Sequence, residues 1–340
     1  VRLPNPLGDV VMATPLLRSL RCGLPNTRIV LAGKAPYGAL LEGLDSFDAF
    51  LALGGKGAGS SGAGSSGASS SGAGGKSASG KSTDAQVLRQ AHADAALLLP
   101  NSWSSVLAAR AAGIAHRIGR RNQMRSLLLQ QALPKIPAAA PMTELYADFL
   151  PSVGLPREVL AAELVVTAEP NTPLPQGAPL LGVAPGAAFG PSKSYPNALL
   201  IEALEALHEK HGLVPVWLGA PHERGLLREL SAALSFDSVV PEANGLDEAK
   251  ALLSKCACIL AMDNGARHMA AALQVPQVVL YGPTHPAWSA HALERTTILR
   301  REELDCLSCH HKICPKADHP CMNRIAPNDV VAAVTEAITK

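Results

Sequence analysis

The sequence predicts an α/β fold of two doubly wound, Rossmann-like domains facing one another across a cleft. Three observations predict it. Short apolar runs alternate with helix-like segments through both halves, the pattern of parallel sheets covered by helices. The 340 residues suffice for two domains with sizeable cores. Turn-rich motifs also follow apolar runs in both halves, at Gly8-Asp9, Pro185-Gly186-Ala187 and Asp263-Asn264-Gly265. Open parallel sheets bind ligands at the edge where their strands end.

Along the chain, Val1 to Leu3 is expected to end a first strand, and Gly8 to Arg21 to form a helix. Strands follow at 29–32 and 49–53, with a helix between them at 37–44. Residues 54–83 are almost all Gly, Ser, Ala and Lys, cannot build a core and are expected to be flexible. A helix (84–91), a strand (95–99), a helix (103–112) and a short strand around Ile118 come next, then a Pro-rich passage (134–141) and a helix (143–150). Pro170 to Pro179 is the expected interdomain linker, which puts one domain at 1–170 and the other at 171–340. In the second half, strands are expected at 180–184, 214–218, 258–262, 277–281 and 296–299. Helices are expected at 197–211, 221–234, 246–254, 266–273 and 328–339.

Composition narrows the class. Hydrophobic residues make up 47% and charged residues 17%, as in an Ala/Leu/Val-rich globular protein. No apolar run approaches the length of a membrane span. No secretory signal is visible, and the first residue is Val rather than Met, so a short N-terminal piece is expected to be missing. The net charge of +2 hides an asymmetry. Residues 1–150 carry 15 Lys and Arg against 8 Asp and Glu, whereas 151–340 carry 15 against 20. The basic half suggests an anionic partner, either a phosphorylated substrate or a membrane surface, although on charge alone solvated surface charge is the better account of the numbers.

Four places carry chemistry. Asp9 falls in the first helical turn at the strand-end edge, where a carboxylate is placed to act as a general base and an Asp is also a common helix cap. The small residues Gly186 and Ala187 let a ligand approach the backbone, and Lys193 could neutralise a phosphate. Glu223 sits near a strand end, where it could accept hydrogen bonds from a ribose or simply lie on a solvated helix. The Asp263-Asn264-Gly265 turn starts a helix whose free N–H groups suit a diphosphate, and His268 lies one turn further on.

Together these motifs resemble glycosyltransferase family 9, the ADP-heptose:lipopolysaccharide heptosyltransferases of the GT-B group. Arg2, Leu3, Gly8, Asp9, Val10 and Pro15 match its N-terminal pattern. Pro185, Gly186, Ala187, Lys193 and Pro196 match a second pattern. Asp263, Gly265, His268, Ala270 to Ala272, Pro276 and Gly282 to Thr284 match its signature. Cys306, Cys309, Cys314 and Cys321 resemble the heptosyltransferase II branch. Two departures stand out: Asn264 replaces the usual Ser or Thr, and residues 54–83 are unusual for the family.

The resemblance implies inverting, metal-independent transfer of heptose from ADP-heptose to the inner core of lipopolysaccharide, with no cofactor. Asp9 would take the acceptor proton, while Lys193 and the helix start at Gly265 would stabilise the leaving ADP. Asp263 and His268 would hold the sugar or diphosphate, Glu223 the ribose, and Asn244 would line the adenine pocket. The N-terminal domain would bind the acceptor and the C-terminal domain the nucleotide sugar. The expected partners are ADP-heptose, the lipopolysaccharide acceptor and the inner-membrane surface, with no nucleic acid, for a cytoplasmic enzyme at the membrane's inner face. A cluster of Arg117, Arg120, Arg121 and Arg125 could meet acidic sugars or lipid phosphates, or could equally be ordinary surface charge. The alternatives are a family 9 enzyme with another nucleotide sugar and a non-catalytic nucleotide-sugar-binding protein.

Two further patterns point elsewhere. Gly75 to Ser82 fits Gly-x4-Gly-Lys-Ser, but no apolar strand precedes it, as a phosphate-binding loop requires. The four cysteines at 306, 309, 314 and 321 could hold Zn²⁺, yet their spacing is not a pair of Cys-x2-Cys knuckles, and no metal ligand is assigned.

Overall fold

A computed structural model of the protein describes residues 1–54, 79–122, 124–137, 140–242 and 245–339, with backbone only for 79–83. Most of the Gly/Ser-rich stretch, the first half of the phosphate-loop-like run and Asn244 lie outside the described residues.

The first half contains α1 (Leu7–Met12), α2 (Thr14–Gly23), β1 (Val30–Lys34), α3 (Pro36–Leu41), β2 (Ala49–Leu53) and α4 (Ser79–Arg89). It continues with β3 (Ala95–Leu98), α5 (Trp103–Ala111), β4 (His116–Arg120), β5 (Gln131–Leu133) and α6 (Met142–Ala147). Its strands are all parallel, in the groups β1-β2 and β3-β4-β5. Arg2 joins the two groups by bridging to Ala32 on one side and Leu98 on the other. The expected first strand therefore exists, reduced to its last residues at the centre of the sheet.

The second half contains β6 (Leu180–Ala184), α7 (Asn197–His211), β7 (Val214–Trp217), α8 (Arg224–Ala232), α9 (Leu246–Ser254), β8 (Cys258–Met262) and α10 (Gly265–Ala272). Then come β9 (Gln277–Leu280), β10 (Thr296–Leu299), α11 (Pro320–Asn323) and α12 (Pro327–Thr339). The sheet order is β10-β9-β8-β6-β7, again parallel, and Val239 bridges to Val216 at the β7 side. With these single-residue bridges counted, both sheets follow the Rossmann strand order, whose ligand crevice opens where the order reverses. In the first half that point is beside Leu3, and in the second it lies between β6 and β8.

Local chemistry explains the elements. Strands β6 and β8 are buried along their whole length, so they read as continuous apolar runs rather than alternating ones. Helix α7 ends at Gly212, whose φ of +65° closes the last turn with a bond to His208 O. The expected single helix from Gly8 to Arg21 is two. Pro15 has no N–H to offer Val11 O, and the Thr14 hydroxyl bonds that carbonyl instead at 2.8 Å. The expected 221–234 helix likewise begins with a tighter 3-10 turn at 221–223 before α8. Strand β5 carries no clear apolar signal and was not expected.

The two halves share a core. One buried cluster runs from Leu3 and Leu17 through Phe149 to Ile259 and Val275. Lys250 on α9 is buried and donates to Glu42 O at 3.1 Å and Val165 O at 2.8 Å. Glu248 accepts from the Asn171 and Thr172 amides, tying the start of the linker segment to α9.

Candidate active site

The two strand-end edges meet where α1 packs on α10. The contact depends on two glycines. A Cβ on Gly265 would stand 2.6 Å from Leu7 Cδ2, and one on Gly8 would stand 2.4 Å from Cδ2 of His268. Each helix thus receives a side chain of the other over a glycine, and Asp9 is brought beside the Asp263 turn.

Asp9 is the third residue of α1, and the cap position belongs to Pro6. Its carboxylate makes no cap bond, so it is not spent on the helix. Burial, and then the negative charge of Asp263, push its pKa up to about 6. Such a carboxylate is ionised at neutral pH and is a stronger base than an ordinary Asp.

Lys193 and Asp263 are both largely buried and form an ion pair at 2.5 Å. The ammonium also donates to Asp263 O at 2.9 Å and lies 5.1 Å from the centre of the Phe189 ring. Thr284 donates to the same Asp263 oxygen at 2.7 Å. Burial opposes ionisation of Asp263, but Lys193, the Thr284 hydroxyl and Arg267 outweigh it and hold the pKa below its ordinary value. Lys193 is therefore aimed at the site but already paired. The residue before it is braced from a distant segment: Ser192 N and Oγ donate to Lys312 O (3.1 Å) and His311 O (2.6 Å), and His319 Nε2 donates to Ser192 O (2.7 Å).

Asn264 ties the second crevice together. Its Oδ1 accepts from Ala266 N at 3.0 Å, capping α10, while its Nδ2 donates to Ala184 O and Gly186 O, each at 2.9 Å. The amide is thus engaged with the protein, and a Ser or Thr hydroxyl could not donate to both carbonyls. Glu223 accepts from Ala220 N at 2.7 Å, and its carboxylate lies against the Cα of Gly186, where a Cβ would come within 2.1 Å of Oε1. It performs the local turn role and also lines the crevice.

His268 is 95% buried. Its Nδ1 lies 2.7 Å from Nε2 of His291, with the rings 9° from parallel and their centres 5.0 Å apart. The bond therefore runs along the line joining the rings, not between stacked faces. Burial, then Arg267, keeps His291 down to about 3, and burial, then Arg267, His291 and Lys193, hold His268 well below the ordinary histidine value, so both imidazoles are neutral at pH 7. Among the described residues, the buried Nδ1 of His291 has no partner. An orphaned buried N–H is rarer than an orphaned acceptor. The network thus assigns the His291 proton to Nε2, donated to His268, and leaves His268 with its proton on Nε2. That N–H belongs to the ring edge facing Gly8.

The structure brings together Asp9, Lys193, Asp263, Asn264, Gly265 and His268, with Gly186, Ala187 and Glu223 across the second crevice. It adds Thr284, His291 and Arg267, and Ser289, whose hydroxyl donates to Asp263 Oδ1 at 3.4 Å. Thr284 belongs to the Gly282–Thr284 motif and was legible, but His291 lies in a segment without periodic or motif signal.

The arginine cluster is largely structural. Arg120 is buried against Asp148 at 2.6 Å, Arg125 is buried on Pro100 O and Ser102 O, and Arg117 is spent on Leu128 O and neighbouring carbonyls. Only Arg121 is exposed. The four clustered cysteines form no disulfide and line one cavity of about 130 Å³. Among the described residues, no group of three or more His, Cys, Asp or Glu is placed to hold a metal ion.

Comparison with known proteins bears on the family and the fold. The family model for glycosyltransferase family 9 (heptosyltransferase) matches residues 84–319. Lipopolysaccharide heptosyltransferase 2 of Escherichia coli K12 is 33% identical over 233 residues, which are 63% of this chain and 66% of that protein. Lipooligosaccharide heptosyltransferase 2 of Haemophilus influenzae is 26% identical over 267 residues, 73% of this chain and 77% of that protein. The match thus spans just under two thirds of the first relative's length. The solved structure of E. coli ADP-heptose lipopolysaccharide heptosyltransferase II superposes with a TM-score of 0.78 at 24% identity, covering 99% of this chain and 97% of that one. With the family model spanning more than half of its residues and two Rossmann-like sheets arranged as in GT-B enzymes, the chain belongs to glycosyltransferase family 9.

Proposed function

We propose that the protein transfers heptose from ADP-heptose to the inner core of lipopolysaccharide, with inversion and without a metal or cofactor. The single observation that carries the mechanism is Asp9, an uncapped, half-buried carboxylate shifted to about 6 and held beside the Asp263 turn. Asp9 accepts the proton of the acceptor hydroxyl as its oxygen bonds to the anomeric carbon. The bond from that carbon to the phosphate oxygen breaks, and ADP leaves with the electron pair. Lys193 and the start of α10 face the growing negative charge. The neutral His268 offers Nε2–H to an oxygen of the donor. In this reading Glu223, which lies against Gly186, accepts from the ribose, and Asn244 is assigned to the adenine pocket by family resemblance alone. In this reading residues 1–170 bind the acceptor and 171–340 the nucleotide sugar, in a cytoplasmic enzyme working at the inner face of the membrane.

Asp9→Asn tests the assignment. Transfer should fall at least about a hundredfold, while ADP-heptose should still raise the melting temperature. Unchanged transfer would remove Asp9 as the base. Stronger thermal stabilisation by another nucleotide sugar would reassign the donor, and stabilisation without any transfer by the unaltered protein would leave only a binding role.

A further inference from the structure

Between residues 95 and 143 the sequence carries six Arg and Lys and neither Asp nor Glu. Three of those cations, Arg117, Arg120 and Arg125, are engaged internally as described. Arg121 and Lys135 are exposed and make no ion pair among the described residues. Large apolar side chains stand beside them in the open: Leu127 is 77% exposed, Met124 73%, Ile136 41% and Trp103 38%.

Topology gathers these residues. Strands β3, β4 and β5 are parallel, so the segments that leave them emerge at one edge of the sheet. Trp103 opens the helix after β3, Arg121 to Leu127 follow β4, and Lys135 and Ile136 follow β5. This is also the edge at which Asp9 follows the central strand. The turn carrying Met124 and Leu127 is fixed in place. Its buried Arg125 donates to Pro100 O at 2.6 Å and Ser102 O at 3.3 Å, and Asn122 donates to Asn101 O at 3.1 Å.

Exposed apolar tips flanked by unpaired cations, with no acid in the same stretch, form the complement of an anionic lipid interface. Apolar groups enter the headgroup boundary, and each Lys or Arg near the surface adds about 1 kcal/mol. We propose that this edge, centred on Met124 and Leu127 and flanked by Arg121 and Lys135, docks the protein on the anionic surface of a bilayer. The orientation places Asp9 at the edge turned toward the membrane, where a lipid-borne acceptor presents its sugars. The orientation rests on the acceptor reading above, but the docking surface does not.

Vesicle flotation of the full chain tests it, using phosphatidylcholine vesicles with and without phosphatidylglycerol. Binding should require phosphatidylglycerol and weaken with salt. Arg121→Gln/Lys135→Gln should lower the partition coefficient about thirtyfold, and Met124→Ser/Leu127→Ser should abolish the salt-resistant part. Both pairs are exposed, so melting temperatures should be unchanged, and transfer to a water-soluble, deacylated acceptor should remain at the unaltered level. Equal binding to both vesicle types, binding unaffected by either pair, or a concentration-dependent dimer that Met124→Ser/Leu127→Ser dissolves would overturn the proposal. Failure of the unaltered protein to act on the soluble acceptor would count against the transfer reading alone.

Discussion

Gly8 and His268 touch with no room for a methyl group between them, although they lie in opposite halves of the chain. The spacing between the Asp9 carboxylate and the Asp263 turn is set by this contact. Gly8→Ala should therefore do more harm than its better helix propensity offsets. Stability should fall by about 1–3 kcal/mol through overpacking against a buried ring. Transfer should fall as α1 and α10 separate. Urea denaturation alongside activity measurement would show whether the two losses occur together.

The shifted Asp9 makes opposite predictions for activity and stability. Activity should drop as pH falls through about 6, because the base becomes protonated. For stability, the folded pKa is above the unfolded value near 3.8. The protonated carboxyl is thus favoured by folding, and this contribution is full below about pH 4 and lost as pH rises through 6. Asp9→Asn escapes that loss. At pH 8 the inactive variant should be more stable than the unaltered protein, by on the order of 2–3 kcal/mol before relaxation. A variant that is both inactive and less stable would contradict the desolvation argument.

Asn264 can be compared directly with the residue that usually replaces it. Asn264→Ser should keep the cap on Ala266 N and lose one or both donations to Ala184 O and Gly186 O. The expected cost is about 1–2 kcal/mol, while Asn264→Ala, which also loses the cap, should cost more. If Asn264→Ser improved donor affinity without loss of stability, the amide would be a departure with no structural return.

His291 offers a spectroscopic test. Nitrogen NMR of the imidazoles should show His268 as the neutral Nε2–H tautomer across pH 6–8. His291→Gln can still donate to His268 Nδ1 and should preserve that signature, whereas His291→Met should lose it and raise the KM for the donor. A His268 protonated at Nδ1 in the unaltered protein would reverse the assigned network.

Much of this is legible in the sequence. The alternation of strands and helices is a local signal, and fully buried strands such as β6 and β8 declare themselves as apolar runs. Asp9, Lys193 and Asp263 follow strand ends, so topology alone sends them to one edge of each sheet. What stayed hidden depends on contacts between distant segments. Arg120 and Arg125 look like surface charge in sequence, because their carbonyl and Asp148 partners come from other loops. The reach of the Asn264 amide has no sign in the sequence, because the two carbonyls it joins lie about eighty positions upstream. The pairing of His291 with His268, and of Lys193 with Asp263, likewise has no spacing rule behind it.

The brace on Ser192 has a consequence for synthesis. Its partners lie 119 and 127 residues further along the chain, at His311 and His319. Contacts of that separation form only after both ends have left the ribosome. A nascent chain that has already produced Asp9, Lys193 and Asp263 still lacks the segment that seats the lysine. The incomplete product therefore holds Asp9, Lys193 and Asp263 without the brace that fixes Ser192 beside the lysine.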